Sequence, residues 1–153
     1  MNHEARINVL QDRIKQQQLN GALLLYSRDI LYYTGTAQPS YLVILPDDYF
    51  LFVRSGIDFA RRDAAIDPHK IREERRLGNI FKEVFAQQRE GKKKIATELD
   101  IVTAEHFGEM RKAFADCDFV NVSALTQEQR KTKDTCEIDK IRKACDAIHR
   151  GHE

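Results

Sequence analysis

The sequence has little from which an obvious catalytic or membrane-bound protein could be built. Its charges nearly cancel, 25 Lys and Arg against 24 Asp and Glu, leaving a formal net charge of +1. That balance argues against a general electrostatic grip on nucleic acid or anionic membrane. No apolar run approaches the roughly 20 residues that a transmembrane helix needs. The opening Met1-Asn2-His3-Glu4 has no basic segment leading into an apolar core, so no secretory signal is expected and the cytoplasm is the expected location. Cysteine is scarce. Cys117, Cys136 and Cys145 are odd in number and share no CxxC spacing, which points to free thiols in a reducing compartment rather than a disulfide framework or zinc knuckle. There is no GxSxG elbow, no glycine-rich phosphate loop and no HExxH pair.

What is present is an apolar pattern that alternates between helical and extended periods. Ile7, Leu10 and Ile14 share one helical face, and Asn20-Gly21 is expected to stop that helix with a left-handed glycine. The run Ala22 to Tyr26 is almost wholly apolar, as a buried central strand requires. Ser27 is expected to cap a brief helical turn through Tyr32, closed by Thr34-Gly35. Tyr41–Leu45 and Tyr49–Val53 flank Pro46-Asp47-Asp48 and predict an antiparallel hairpin. Helical pieces are expected near Asp58–Ile66 and Asn79–Gln88, the latter with Phe81, Val84, Phe85 and Gln88 on one stripe and Gly91 as its stop. Lys94–Thr97 and Phe119–Val122 read as strands. Between them Thr103 should cap a helix presenting Phe107, Met110 and Phe114. Asp134 and Glu137 form a capping box, followed by an apolar stripe of Ile138, Ile141, Cys145 and Ile148. The sum is an α/β domain with a mixed sheet, one antiparallel hairpin and helices on both faces. Thr126–Asp134 is polar and basic, as expected of an interdomain connector. The final stripe needs a partner surface, so the last helix is read as the beginning of a further domain.

The candidate chemistry is sparse. His149 and His152 stand i, i+3 with Glu153 adjacent, a spacing that fits one metal ion. Two solvated side chains at a fraying helix end are the commoner outcome of such a pair. His3 and His69 join no pattern, and His106 is expected to face solvent on the first turn of its helix. Arg72 to Arg76 and Lys92 to Lys94 are charge runs that could hold an anion, but such runs usually line solvated faces or guard a sheet edge. Tyr32, Tyr33, Tyr41, Phe50 and Phe52 could stack bases; core packing accounts for them more simply. No catalytic or metal-ligating set emerges from spacing alone.

The segment from Arg130 to Ala144 resembles a connector signature, Arg-x-x-Lys-x-x-x-Glu-Ile-x-x-Ile-Arg-x-Ala, of the prolidase, aminopeptidase P and creatinase family. Asp134 stands where Ser is commoner there, and either can cap a helix. Ile30-Leu31-Tyr32-Tyr33-Thr34-Gly35 is similar to the family's Asn-Ile-x-Tyr-Leu-Thr-Gly. Gly21 to Leu25, Gln38 to Arg54, Phe59 to Asp63, Ile95 to Glu98 and Phe119 to Ser123 match further segments in order, the middle ones most closely resembling Xaa-Pro dipeptidases.

This resemblance implies a ribonuclease-H-like amino-terminal domain over residues 1–133 and, over residues 134–153, a helix that opens the catalytic domain. It implies a parent hydrolase whose later domain holds two divalent metal ions of Mn or Co type, none of them in this segment. The catalytic domain of the same chain, a homodimer mate and a proline-containing dipeptide are the implied partners, with no nucleic acid and no membrane. No catalytic residue can be carried over. The loop holding Thr36, Gln38, Pro39 and Ser40 is implied to restrict access to the active site. Its shortness, and the lack of the aromatic and Arg that creatinases present there, favour a peptidase. The alternatives are an aminopeptidase P, a creatinase-like hydrolase, or a free-standing interaction module of the same fold.

Overall fold

A computed structural model of the chain describes residues 2–86, 88 and 91–152. Helix α1 (His3–Gln16) buries Ile7, Leu10 and Ile14, the face their spacing predicts, and Asn2 caps it by accepting the Ala5 N–H at 3.0 Å. Its stop differs from expectation. Gln18, with φ of 52°, takes the left-handed turn, while Gly21 already lies in strand β1 (Gly21–Leu24). Glycine is needed at 21 for its size: a Cβ there would stand 2.9 Å from the Ile44 carbonyl oxygen and 3.0 Å from the Phe85 ring.

Strand β1 is wholly buried and ends before the apolar run does. The N–H groups of Leu25 and Tyr26 donate to the Glu98 carboxylate at 2.7 and 3.0 Å. Helix α2 (Ser27–Thr34) follows with Tyr26 at its cap position and no side-chain cap, so Ser27 is its first residue rather than the cap. Gly35, left-handed at φ 85°, closes it as anticipated.

Strands β2 (Ser40–Ile44) and β3 (Tyr49–Val53) form the expected hairpin, with Tyr41 opposite Phe52 and Val43 opposite Phe50. The turn closes through the Leu45 N–H on the Asp48 carbonyl at 2.8 Å, and the Asp48 side chain accepts the Tyr49 N–H at 2.7 Å. Helix α3 (Ile57–Asp63) is shorter than its sequence suggested, because Ala64 turns extended and Ala65 N–H bonds the Thr34 carbonyl. A 3₁₀ turn, Pro68–Lys70, leads into β4 (Ile71–Glu73), a strand of three residues beginning in a charge run.

The predicted stripe around Phe85 is built as a short helix, α4 (Leu77–Ile80), running into a π-helical turn, Phe81–Phe85. Strand β5 (Lys93–Thr97) precedes α5 (Ala104–Ala113), which Thr103 caps by accepting the His106 N–H. Met110 and Phe114 are buried behind α5, and Phe107 packs edge-on to Phe119 with centroids 5.6 Å apart. Strand β6 (Cys117–Asn121) starts two residues earlier than expected, since Cys117 pairs with Lys93. The polar segment read as a loose connector is largely helix α6 (Ser123–Lys131), with Thr126 buried. The amphipathic end is helix α7 (Thr135–His152).

The strands form one sheet in the order β4-β3-β2-β1-β5-β6. The β1–β2 and β2–β3 pairs are antiparallel, and the other three are parallel. Strand alternation divides the core in two. Leu24, Leu42, Ile44, Leu51 and Val53 pack under α1 and α2. Leu23, Val43, Phe52 and Ile95 pack under α4, its π turn and α5. Each fully buried large side chain, such as Phe85 or Phe114, contributes roughly 1.5–3 kcal/mol.

Candidate functional site

The loop after α2 is fastened at both ends. Gln38 N–H donates to Thr36 Oγ1 at 3.3 Å, Ser40 Oγ donates to the Gln38 carbonyl at 2.8 Å, and Arg54 N–H donates to the Pro39 carbonyl at 2.8 Å. Thr36 and Ser40 are buried, Gln38 is half-buried, and Ala37 and Pro39 are exposed at the apex. The Gln38 amide lies over Gly56, where a Cβ would stand 2.7 Å from its Oε1. Gly56 has φ of 75°, so both backbone conformation and space call for glycine there.

Elsewhere in the core is a buried acid pair. Asp29 of α2 and Glu98 after β5 are each 1% exposed. Asp29 is paired with Arg130 of α6. Glu98 Oε2 accepts the two β1-end N–H groups, and Oε1 has no donor among the described residues. Burial, and after it the neighbouring Asp29, raise the Glu98 pKa to about 8 against the lowering effect of the Leu25 and Tyr26 N–H groups. Two buried carboxyls beside one another disfavour a second negative charge, which keeps the proton on Glu98. Burial also pushes the Tyr33 hydroxyl far up, with the Asp29 charge adding to it.

A second network gathers α1, α2, α6 and α7. Arg6, one-tenth exposed, donates to the Tyr32 carbonyl at 3.0 Å, to Asp134 at 2.7 Å and to Glu137 at 2.8 Å. Its guanidinium lies 4.0 Å from the centroid of the Tyr32 ring, a cation–π contact. Gln129 donates to the Arg6 carbonyl at 2.7 Å and accepts the Tyr33 hydroxyl at 2.9 Å, and its own carbonyl accepts the Tyr32 hydroxyl at 3.0 Å. The capping box forms as predicted, with Asp134 N–H on Glu137 at 3.0 Å and Glu137 N–H on Asp134 at 2.8 Å. Beside the network opens a cleft of about 580 Å³ with Leu31 and Tyr32 on its floor and Arg28, Lys133 and Lys140 around it.

The remaining candidates disperse. His3 is buried on the Tyr32 carbonyl at 3.0 Å, and burial lowers its pKa. His106 is half-buried rather than turned to solvent. Arg72 pairs with Glu83, Lys92 with Asp118, and the Glu74 carboxylate accepts the N–H groups of Arg75 and Arg76, so neither charge run forms an anion cradle. Tyr33, Tyr41 and Phe52 are core residues. The side chain of His152 and all of Glu153 lie outside the described residues. Among the described residues no group of three or more His, Cys, Asp or Glu side chains is arranged to hold a metal ion, and no helix is long and apolar enough to cross a membrane. Arg6, Asp29 and Gln129 carried no signal in the sequence, because their partners lie 26 to 128 positions away.

Fold and network together define an α/β domain with an internally tied core and one long helix leaving it. The chain belongs to the creatinase/prolidase N-terminal domain family, whose model matches residues 6–132. Solved structures agree in fold. The prolidase from Pyrococcus horikoshii OT3 superposes with a TM-score of 0.78 at 18% identity, over 93% of this chain and 39% of that one. The Xaa-Pro dipeptidase from Bacillus anthracis gives 0.75 at 19% identity, over 90% and 38%. A proline dipeptidase chain from Streptococcus pneumoniae gives 0.68 at 19% identity, over 83% of this chain and 98% of that one. The chain thus spans about two-fifths of the length of the longer relatives. No curated protein sequence gives a significant match.

Proposed function

We propose that the chain is the non-catalytic amino-terminal domain of a metal-dependent Xaa-Pro dipeptidase whose hydrolytic machinery follows α7. The observation that carries this is the coverage of the longer prolidase and dipeptidase chains, 39% and 38% of their lengths. It is joined by a terminal helix whose apolar face, Ile138, Ile141 and Ile148, is 37%, 50% and 62% exposed. Two divalent ions of Mn or Co type, held in the following domain, would lower the pKa of a bridging water and polarise the scissile carbonyl. The role left to this domain is assembly of a cytoplasmic homodimer and control of access to the active site. The loop of Thr36, Gln38, Pro39 and Ser40 suits that role, since its ends are buried and its apex is exposed.

An aminopeptidase P is the second reading, favoured by the Thermotoga maritima X-Pro aminopeptidase, which superposes with a TM-score of 0.74 at 21% identity. The test is to assay the product of the whole reading frame on Xaa-Pro dipeptides and on longer Xaa-Pro peptides, with Mn²⁺ or Co²⁺. Proline release confined to dipeptides is the expected result, the 153-residue chain alone being inactive. Cleavage of the longer peptides gives the second reading. A reading frame that ends at Glu153 would overturn both. Gln38→Ala in the active protein is expected to raise KM several-fold with an unchanged melting temperature.

A further inference from the structure

We propose that Arg6 is a positioning residue: its buried guanidinium latches the first turn of α7 and so sets the direction in which that helix leaves the domain. The inference rests on the reading of α7 as the lead into a following domain, and it deepens that reading by naming what fixes the geometry. From Ile138 onward every described side chain of α7 is exposed. Side-chain bonds from Arg6 reach Asp134 at the cap of the helix and Glu137 in its first turn. Between α6 and α7 lie only residues 132–134, with Thr132 extended at φ −82° and ψ 125°. Such a link can swivel unless something holds it.

Arg6 is suited to hold it. A guanidinium has five N–H donors in a rigid fork, so one side chain can serve a carbonyl and two carboxylates together. Arg6 is itself immobilised, stacked on Tyr32 and braced through its carbonyl by Gln129 of α6. The two carboxylates also cap the helix reciprocally, so the latch grips the capped first turn of α7. Leverage makes this matter. Eighteen residues of helix extend about 27 Å, so a tilt of about 10° at the base carries the far end through about 5 Å. A misplacement of that size would separate an access loop from any active site built beyond the helix.

The latch can be read in the 153-residue chain without reference to activity. A nitroxide on exposed Cys145, with Cys136→Ser and the buried Cys117 left in place, is paired with one at Val9→Cys on the exposed face of α1. Double electron–electron resonance should give one narrow distance distribution. Arg6→Met should widen it at least twofold, and Arg6→Lys should fall between, since an ammonium lacks the fork. An Arg6→Met distribution as narrow as the parent's, in a protein that still folds, would overturn the proposal. Should Arg6→Met fail to fold, the Asp134→Asn, Glu137→Gln pair carries the test. Those amides keep both capping bonds but remove the charges Arg6 grips. Broadening is again expected, and an unchanged distribution overturns the latch. Failure here leaves the dipeptidase reading standing, because that reading is decided by the peptide assay on the longer protein.

Discussion

At the scale of single residues, Glu98 is the group whose state departs furthest from its behaviour in water. Its folded pKa of about 8 stands above the ordinary 4.5, so the folded protein retains a proton that the unfolded chain releases. The sign follows: the contribution is complete below about pH 4.5 and is lost as pH rises through 8. Its ceiling is about 5 kcal/mol and the real figure is smaller, because the pair relaxes on ionisation. The urea midpoint of the parent protein should therefore fall between pH 5 and 8.5. Glu98→Gln, which can still accept from Leu25 and donate to Asp29, should flatten that slope and equal or exceed the parent at pH 8.5. A parent midpoint that stays level or rises over this interval would refute the raised Glu98 pKa.

Among the elements, α6 is tied to the core by the Gln129 amide as well as by Arg130. Gln129 satisfies the Arg6 carbonyl and the Tyr33 hydroxyl, the latter on a fully buried ring. Gln129→Ala strands both, and each unsatisfied buried group costs about 1–3 kcal/mol. A loss of about 2–3 kcal/mol in urea denaturation is expected, and a loss below about 0.5 kcal/mol would show that water replaces the amide. The hairpin, the α1 face, the Gly35 stop and the α7 capping box were legible beforehand because each is encoded within a dozen residues by periodicity or a cap. The errors share one cause, a distant partner overriding a local signal. Gly21 looked like a helix stop because only the sequence neighbours were in view; Ile44 and Phe85 are what require it. Strand β4 hid in a charge run because its pairing to β3 is non-local. The helical form of α6 was hidden in a polar stretch because Gln129 and Arg130 bond residues of α1 and α2 far away in the sequence. Of the loop after α2, the sequence revealed position and chain order, whereas its anchoring through Arg54 and the room that Gly56 leaves for Gln38 required the fold.

For the molecule as a whole, the exposed stripe on α7 is the outstanding liability. Ile138, Ile141 and Ile148 together form the kind of apolar patch that marks an association surface. The 153-residue chain should sediment as a monomer at low micromolar concentration and self-associate at several hundred micromolar. Ile141→Glu should keep it monomeric throughout by setting a charge in the middle of the stripe. Association undiminished by that substitution would mean that another face is responsible.

The strand order also has a consequence for synthesis on the ribosome. Strand β1 occupies the third-from-last place in the sheet, between β2 and β5. Its antiparallel neighbour emerges some twenty residues behind it, but its parallel neighbour, Lys93–Thr97, arrives more than seventy residues later. During that interval the most buried strand of the finished domain has one bare edge, next to the already formed hairpin. Distant parallel pairing of this kind is slow and leaves the nascent chain open to mispairing. Closure waits for the Glu98 carboxyl, which follows β5 directly and caps the end of β1 in the same stroke. Glu98 is thus among the first residues to bond once that edge is covered, with only β6 still to join the sheet.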